Sequence, residues 1–159
     1  MEVLTARLRL RPLCDDDADA YGLLLADPRI HPFVIEDGPL ARDAAVERIA
    51  RKRRAWAERT AVTWAMLRDD AFVGYVALHN LGFAKVAISY AVARDAQRQG
   101  LGGEAVAAVL GRGRELGFSE VEARTHVDNE ASARLLRAVG FVETAPDESP
   151  PRRVFLWRA

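Results

Sequence analysis

A chain of 159 residues is long enough for one domain with a substantial core. Half of the residues are hydrophobic and 29% are charged, a balance that excludes a disordered chain and one built to span a membrane. Basic and acidic residues cancel at 23 each, so no global charge points to nucleic acid or a membrane surface; the single cysteine, Cys14, excludes an internal disulfide and any zinc-type cysteine spacing.

The N-terminal stretch has no long apolar run and no cleavage-site pattern, and the expected location is the cytoplasm. "ARLRLRPL" (6–13) alternates, with Leu8 and Leu10 on one face and Arg7, Arg9 and Arg11 on the other. That predicts a strand with one wet face, ended by Pro12. "CDDDADAYGLLLAD" (14–27) predicts a helix whose first turn carries Asp15, Asp16 and Asp17. Acids there suit the positive end of the helix dipole, so capping explains them without a metal, and Cys14 reads as a buried structural thiol. "DPRIHPFVIEDGPL" (27–40) is an irregular connection rich in Pro, Gly and Asp. In "ARDAAVERIARKRRAWAERT" (41–60), Val46, Ile49, Arg53 and Trp56 recur at helical spacing, and "RKRR" reads as a solvated face.

From residue 61 the period changes. "VTWAML" (62–67) and "FVGYVAL" (72–78) flank "RDDA" as a hairpin, and "KVAISYAV" (85–92) is apolar enough for a central strand. A glycine stretch leads into a helix through Val106, Val109, Leu110 and Leu116, with Gly117 as its stop. "VEARTHV" (121–127) alternates as a strand, "DNEASARLLRAVGF" (128–141) is a capped helix ending at Gly140, and "RRVFLWR" closes the chain as a strand after the loop "TAPDESPP" (144–151). No repeat or linker interrupts the order. The expectation is a single domain over 1–159 of α+β (mixed α/β) class, with a parallel crossover from 85–92 to 121–127.

The glycine stretch "QRQGLGGEA" (97–105) carries the functional signal. Gly100 to Ala105 formally fit the dinucleotide fingerprint G-x-G-x-x-G/A, with Glu120 near the expected offset. The context does not fit, because seven residues separate the strand from the first glycine and the upstream chain is a meander rather than βαβ units. Gln97-Arg98-Gln99-Gly100-Leu101-Gly102, with Gly103 following, fits Q-x-x-G-x-G between a strand and a helix. Such glycines let the backbone approach a ligand, and the helix N-terminus adds a positive dipole end, which together suit a pyrophosphate.

With "TARLRLRPLCDDDADAYGLL" at the start, "ISYAVARDAQRQGLGGEA" in the middle and "NEASARLLRAVGF" near the end, the chain resembles the GCN5-related N-acetyltransferases, and among them the RimJ/RimL type. The resemblance covers nearly the whole length. It implies the GNAT fold: a central mixed, mostly antiparallel sheet with a splayed parallel strand pair, flanked by helices. It implies acetyl-CoA as cosubstrate, with backbone groups of Tyr90, Ala91 and Val92 taking the pantetheine arm as an added strand and the 97–103 loop taking the pyrophosphate. An amine would attack the acetyl carbonyl directly and CoA would leave as the thiolate.

Asn129 matches the family's helix-start asparagine, as a pantetheine ligand or as a plain N-cap. Ser132 matches a hydroxyl that can protonate the leaving thiolate, and is the catalytic candidate, since the position where many relatives carry a tyrosine is Leu136. The strand glutamate that often serves as base is replaced by Ala87, which leaves His31, Glu36, Asp37, His79 and His126 as substitutes. Without that base and that tyrosine, a non-catalytic acyl-CoA-binding module is the alternative reading. The acceptor classes are protein N-termini, antibiotics, polyamines and amino acids. Glu36, Asp37, Asp147 and Glu148 favour a cationic one. No metal, nucleic-acid or membrane partner is expected, and a homodimer is compatible with the sequence.

Overall fold

The computed structural model describes residues 1–30, 42–83 and 85–159. In chain order the elements are β1 (Val3–Leu4), β2 (Arg9–Pro12), α1 (Ala18–Ala26), α2 (Arg42–Ala57), β3 (Ala61–Arg68), β4 (Ala71–His79), β5 (Val86–Val92), α3 (Leu101–Leu110), α4 (Gly113–Leu116), β6 (Glu120–His126), α5 (Glu130–Ala138), β7 (Val142–Glu143), β8 (Asp147–Glu148) and β9 (Pro151–Arg158). Among the described residues the strands form one sheet in the order β1-β2-β3-β4-β5-β6-β9-β7, with β8 also on β9. Every pairing is antiparallel except β5 with β6. This is the mixed, mostly antiparallel sheet that the resemblance implied.

The sheet has a core on each face, because successive strand residues point to opposite sides. Trp64, Met66, Val76, Leu78, Ile88 and Val121 pack on one face against Leu101, Ala105 and Val109 of α3 and Leu136 of α5. Ala65, Leu67, Tyr75, Ala77 and Ala91 pack on the other against Tyr21 and Leu25 of α1 and Ala45 and Ile49 of α2. Ala45 and Ile49, four residues apart, form the buried stripe of α2. The "RKRR" run is solvated at Arg51, Arg53 and Arg54, as expected, but Lys52 turns inward. The helix after the glycine stretch is shorter than predicted: it stops at Leu110 and resumes as the single turn of α4, and Gly117 in the left-handed conformation (φ +77) ends that turn.

Asp15–Asp17 form a 3-10 turn ahead of α1 rather than the first turn of the helix itself. Asp17 is buried; its oxygens accept from Arg11 Nη1 and Nη2, each at 2.8 Å, and from the Cys14 N–H at 2.9 Å. The turn therefore bolts α1 to β2, and no metal-binding group of acids, histidines and cysteines occurs among the described residues. Cys14 is half-buried, with Arg11 Nη1 donating to its sulfur at 3.2 Å. Burial pushes the Asp17 carboxyl upward, but the Arg11 and Cys14 hydrogen bonds outweigh it and hold its pKa below the usual value. A depressed carboxylate stabilises the fold above its unfolded pKa and loses that contribution as pH falls through the folded one. The unfolding free energy should therefore drop on acidification below about pH 4, and Asp17→Asn should flatten this part of the profile. Denaturant titrations at a series of pH values check it; equal acid slopes for the two proteins would show that the pair contributes nothing.

Candidate active site

The parallel pairing of β5 with β6 is short. Val86, Ala87 and Ile88 pair with Val121, Glu122 and Ala123, and there it stops. β5 stays bonded to β4 as far as Val92, while β6 continues on β9. One edge of β5 is thus left without a strand from Ser89 to Val92. The Ala93 N–H donates to the Val73 carbonyl on β4 (2.8 Å). Antiparallel alternation then turns the backbone groups of Ala91 toward β4 and those of Tyr90 and Val92 toward the gap. In agreement, a Cβ on Gly74 of β4 would stand 2.3 Å from the Ala91 carbonyl oxygen. Of the three residues whose backbone groups were expected to take the arm, Tyr90 and Val92 turn theirs to the gap, while Ala91 lines it with its polar backbone groups turned into the sheet.

A cleft of about 970 Å³ opens at this gap and reaches both faces of the sheet. On the α3/α5 face it is lined by Gln97, Arg98, Gly100, Leu101, Gly102 and Gly103 and by one side of α5 from Asn129 to Val139. Gly100 takes φ +78, a left-handed conformation that suits glycine, and is the N-cap of α3 with no side chain capping the helix. The Glu104 N–H is bonded to the Gly100 carbonyl (3.0 Å), whereas those of Leu101, Gly102 and Gly103 fall within the first turn and have no helical acceptor. Gly102 is also where α3 meets α5: a Cβ there would lie 2.9 Å from Leu135 Cδ1 and 3.2 Å from Val92 Cγ2.

The loop is held open by its own side chains. Gln97 Nε2 donates to the Val92 carbonyl (2.9 Å), so this residue fastens the loop to the end of β5. Gln99 Nε2 donates to the Asp95 carbonyl at 2.9 Å, its Oε1 accepts from Arg68, and its own carbonyl accepts from Arg7 Nη1 at 2.8 Å. Arg7 in turn pairs with Glu104 on α3 (2.7 Å). Gln97 and Gln99 thus act first as struts, while Arg98 and Arg134 both line the cleft. Arg134, on α5, was not singled out in the sequence, where it looks like any exposed helix arginine.

Ser132 and Tyr90 meet at the floor of this half. The Tyr90 hydroxyl lies 2.7 Å from Ser132 Oγ, and either can donate. Burial raises the Tyr90 pKa to about 12, against the Ser132 hydrogen bond, so the phenol stays protonated. The sequence pointed to Tyr90 for its backbone alone. Its side chain supplies a phenol where Leu136, buried on α5, supplies none. Asn129 Oδ1 accepts from the Ser132 N–H (3.1 Å), so Asn129 caps α5 and fixes the serine from behind.

Ser89, next to Tyr90, points to the opposite face. Its Oγ lies 2.8 Å from His79 Nε2, and His79 stands directly across from Ala87 in the β4–β5 register. Burial, with Lys52 nearby, lowers the His79 pKa to about 4, so the imidazole is neutral near pH 7. Tyr75, Tyr21, Arg48, Lys52, Arg29 and Ile30 also line this half, with Arg124 of β6. His126 lies on β6 beside Asp128 (3.6 Å), and the cleft lining does not include it. His31, Glu36 and Asp37 lie outside the described residues.

An open strand edge, an uncapped glycine-rich helix start and a hydroxyl pair between them are the parts that a CoA-dependent acyl transfer needs. The sequence model of the acetyltransferase (GNAT) domain family matches residues 7–142. The chain belongs to this family. A curated relative, the uncharacterized N-acetyltransferase YoaA of Bacillus subtilis, is 28% identical over 142 residues, which cover 86% of this chain and 80% of that one. Among solved structures, RimL, a ribosomal L7/L12 alpha-N-protein acetyltransferase in complex with coenzyme A, superposes with a TM-score of 0.90 over 99% of this chain and 98% of its own, at 13% identity. Mycobacterium smegmatis RimJ in complex with a CoA disulfide gives 0.87 over 96% and 82%, at 20% identity. This GNAT member is thus an N-acetyltransferase with the fold of the RimJ and RimL enzymes. No described helix is long and apolar enough to cross a membrane.

Proposed function

We propose that this N-acetyltransferase moves an acetyl group from acetyl-CoA to a primary amine by direct attack in a ternary complex, with the cosubstrate lying in the β5–β6 gap. The observation that carries the reading is the edge of β5 left free beyond Ile88, beside the uncapped start of α3 and above the Tyr90–Ser132 pair. Acetyl-CoA would supply the activated acetyl group and depart as the thiol. Backbone groups of Tyr90 and Val92 would hold its arm as an added strand would, with Ala91 against it. The N–H groups of Leu101, Gly102 and Gly103, with Arg98 and Arg134, would hold its phosphates.

Ser132 is assigned the delivery of a proton to the leaving sulfur, backed by the Tyr90 phenol that can restore it. His79 is too weak a base, with a pKa of about 4, to take the amine's proton near neutrality. Its neutral ring instead orients the Ser89 hydroxyl toward the acceptor, which enters as the free amine and, once it has attacked, gives its extra proton to solvent water, from which the Tyr90–Ser132 pair is recharged. The rate should therefore rise with pH toward the acceptor's own pKa, with no step near 6.5 from this histidine.

CoA at about one hundred times its dissociation constant should stabilise the fold by roughly 2.7 kcal/mol, and thiol should be released from acetyl-CoA when a suitable amine is added. A melting temperature unmoved by saturating CoA would overturn the cofactor assignment. Tight CoA binding without thiol release over the acceptor classes would favour the non-catalytic binding module.

A further inference from the structure

The cations of the cleft fall into two groups on opposite faces of the sheet. Among the described residues its lining holds Arg29, Arg48, Lys52, Arg98, Arg124 and Arg134, and no aspartate or glutamate. Arg98 and Arg134 lie on the α3/α5 side, where a pyrophosphate would account for them. Arg124 is committed to Glu122 (2.9 Å) and Asp147 (3.2 Å), and Arg29 is close to Asp27 (3.4 Å). Arg48 and Lys52 remain. They sit four residues apart on α2, so they share one face of that helix, and neither has a carboxylate partner among the described residues.

Lys52 is well inside the fold: its Nζ lies 3.5 Å from Thr63 Oγ1 and 5.6 Å from the centre of the Tyr75 ring. Burial, with Arg48 and Arg51 adding like-charge repulsion, lowers its pKa to about 8. Burial pushes the Tyr21 phenol up, and Arg48 works against that shift. Two cations crowded beside buried phenols are costly unless an anion joins them. The cosubstrate's phosphates, on the other face, do not reach this place in the proposed seating.

From this geometry we infer that the acceptor amine carries an anionic group, a carboxylate or phosphate, which Arg48 and Lys52 bind on the α1/α2 side of the gap. The inference rests on the acetyl-transfer reading and reverses the preference for a cationic acceptor drawn from the acids of the sequence. Of those acids, Asp147 is already paired with Arg124, Glu148 is exposed on β8, and Glu36 and Asp37 lie outside the described residues. The same positive field disfavours an ammonium in the cleft, so it helps the amine to bind uncharged without a carboxylate base.

Matched acceptors decide it. Free amino acids are compared with their amides, phosphoethanolamine with ethanolamine, and peptides whose second residue is Asp or Glu with their Asn or Gln counterparts. Spermidine represents the polyamines. The anionic member of at least one pair should show kcat/KM at least ~10-fold higher, and which pair responds tells a free amino acid from a phosphate or a peptide N-terminus. Arg48→Gln and Lys52→Gln should each erase the preference while CoA still raises the melting temperature as in the parent, which shows that the variants are folded. Equal or better use of the neutral partners, or of spermidine, would overturn the inference and leave acetyl transfer standing. If CoA binds but no acceptor releases thiol, the transfer reading fails. The inference is then read by binding alone: in the CoA-saturated protein the anionic member should raise the melting temperature more than its neutral partner, and equal shifts would overturn it.

Discussion

Combining Ser132→Ala with Tyr90→Phe should cut turnover at saturating acetyl-CoA by ~10²–10⁴-fold, the range of general-acid assistance, with little change in CoA affinity. The two hydroxyls lie 2.7 Å apart, so they can pass a proton between them. Removing one leaves the other close to the same position, and each single variant should therefore lose less than half of the double variant's effect on a logarithmic scale. That more-than-additive pattern is the signature of two groups that can stand in for one another. A side chain that only packs would behave otherwise: turnover would hold while CoA affinity or the melting temperature fell. Measuring turnover and CoA affinity on the same preparations separates these outcomes. Strict additivity of the two losses would show that Tyr90 and Ser132 act independently.

Gly102→Val should abolish CoA binding and also destabilise the protein, by about 1–3 kcal/mol. The sequence alone argued only for a blocked approach to phosphate. The structure adds the contacts with Leu135 and Val92, at 2.9 and 3.2 Å from a Cβ, so the same substitution pushes α3 away from α5 and from the end of β5. The two effects come apart in the double variant Gly102→Val with Leu135→Ala, which makes room for the new side chain. Stability should recover in part while calorimetry still shows no CoA binding. Binding restored along with stability would mean that the glycine serves only helix packing.

Much of this was legible locally. The alternation of 6–13, the apolar run of 85–92 and the glycines of 97–103 each announce themselves within a few residues, because strand period and backbone freedom are properties of short segments. β1 and β7 were not legible: two residues each, they are strands only because β2 and β9 lie alongside. Asp17 looked like one of three equivalent acids until Arg11 was seen to claim it, six residues earlier in the chain. In the candidate site, Ser132 and the loop could be read by likeness, but the Tyr90–Ser132 contact spans 42 residues. Parity along β5 held the available clue: Tyr90 and Ser89 must face opposite sides, so only one of them can look toward the helix carrying Ser132. Lys52 was hidden by its neighbours. Within "RKRR" every member looks solvated, and only the rotation of α2 decides which one turns inward.

The short parallel ladder between β5 and β6 also bears on how such a protein can diversify. Beyond Ile88, neighbouring positions of one strand address different clients: Ser89 looks to the chamber roofed by α1 and α2, and Tyr90 to the chamber under α3 and α5. Among the described residues the sheet stands as a bulkhead between two chambers, one lined from α1 and α2 and the other from α3 and α5. Under the proposed seating, substitutions on the inner faces of α1 and α2 would therefore exchange one amine for another without disturbing the Tyr90–Ser132 pair or the start of α3. A one-residue slip of β5 would swap the clients and ruin both chambers at once. Selection should thus hold the strand register fixed while the α1/α2 wall drifts with the acceptor, and swapping the inward residues of those two helices between relatives should transfer acceptor preference with CoA affinity intact.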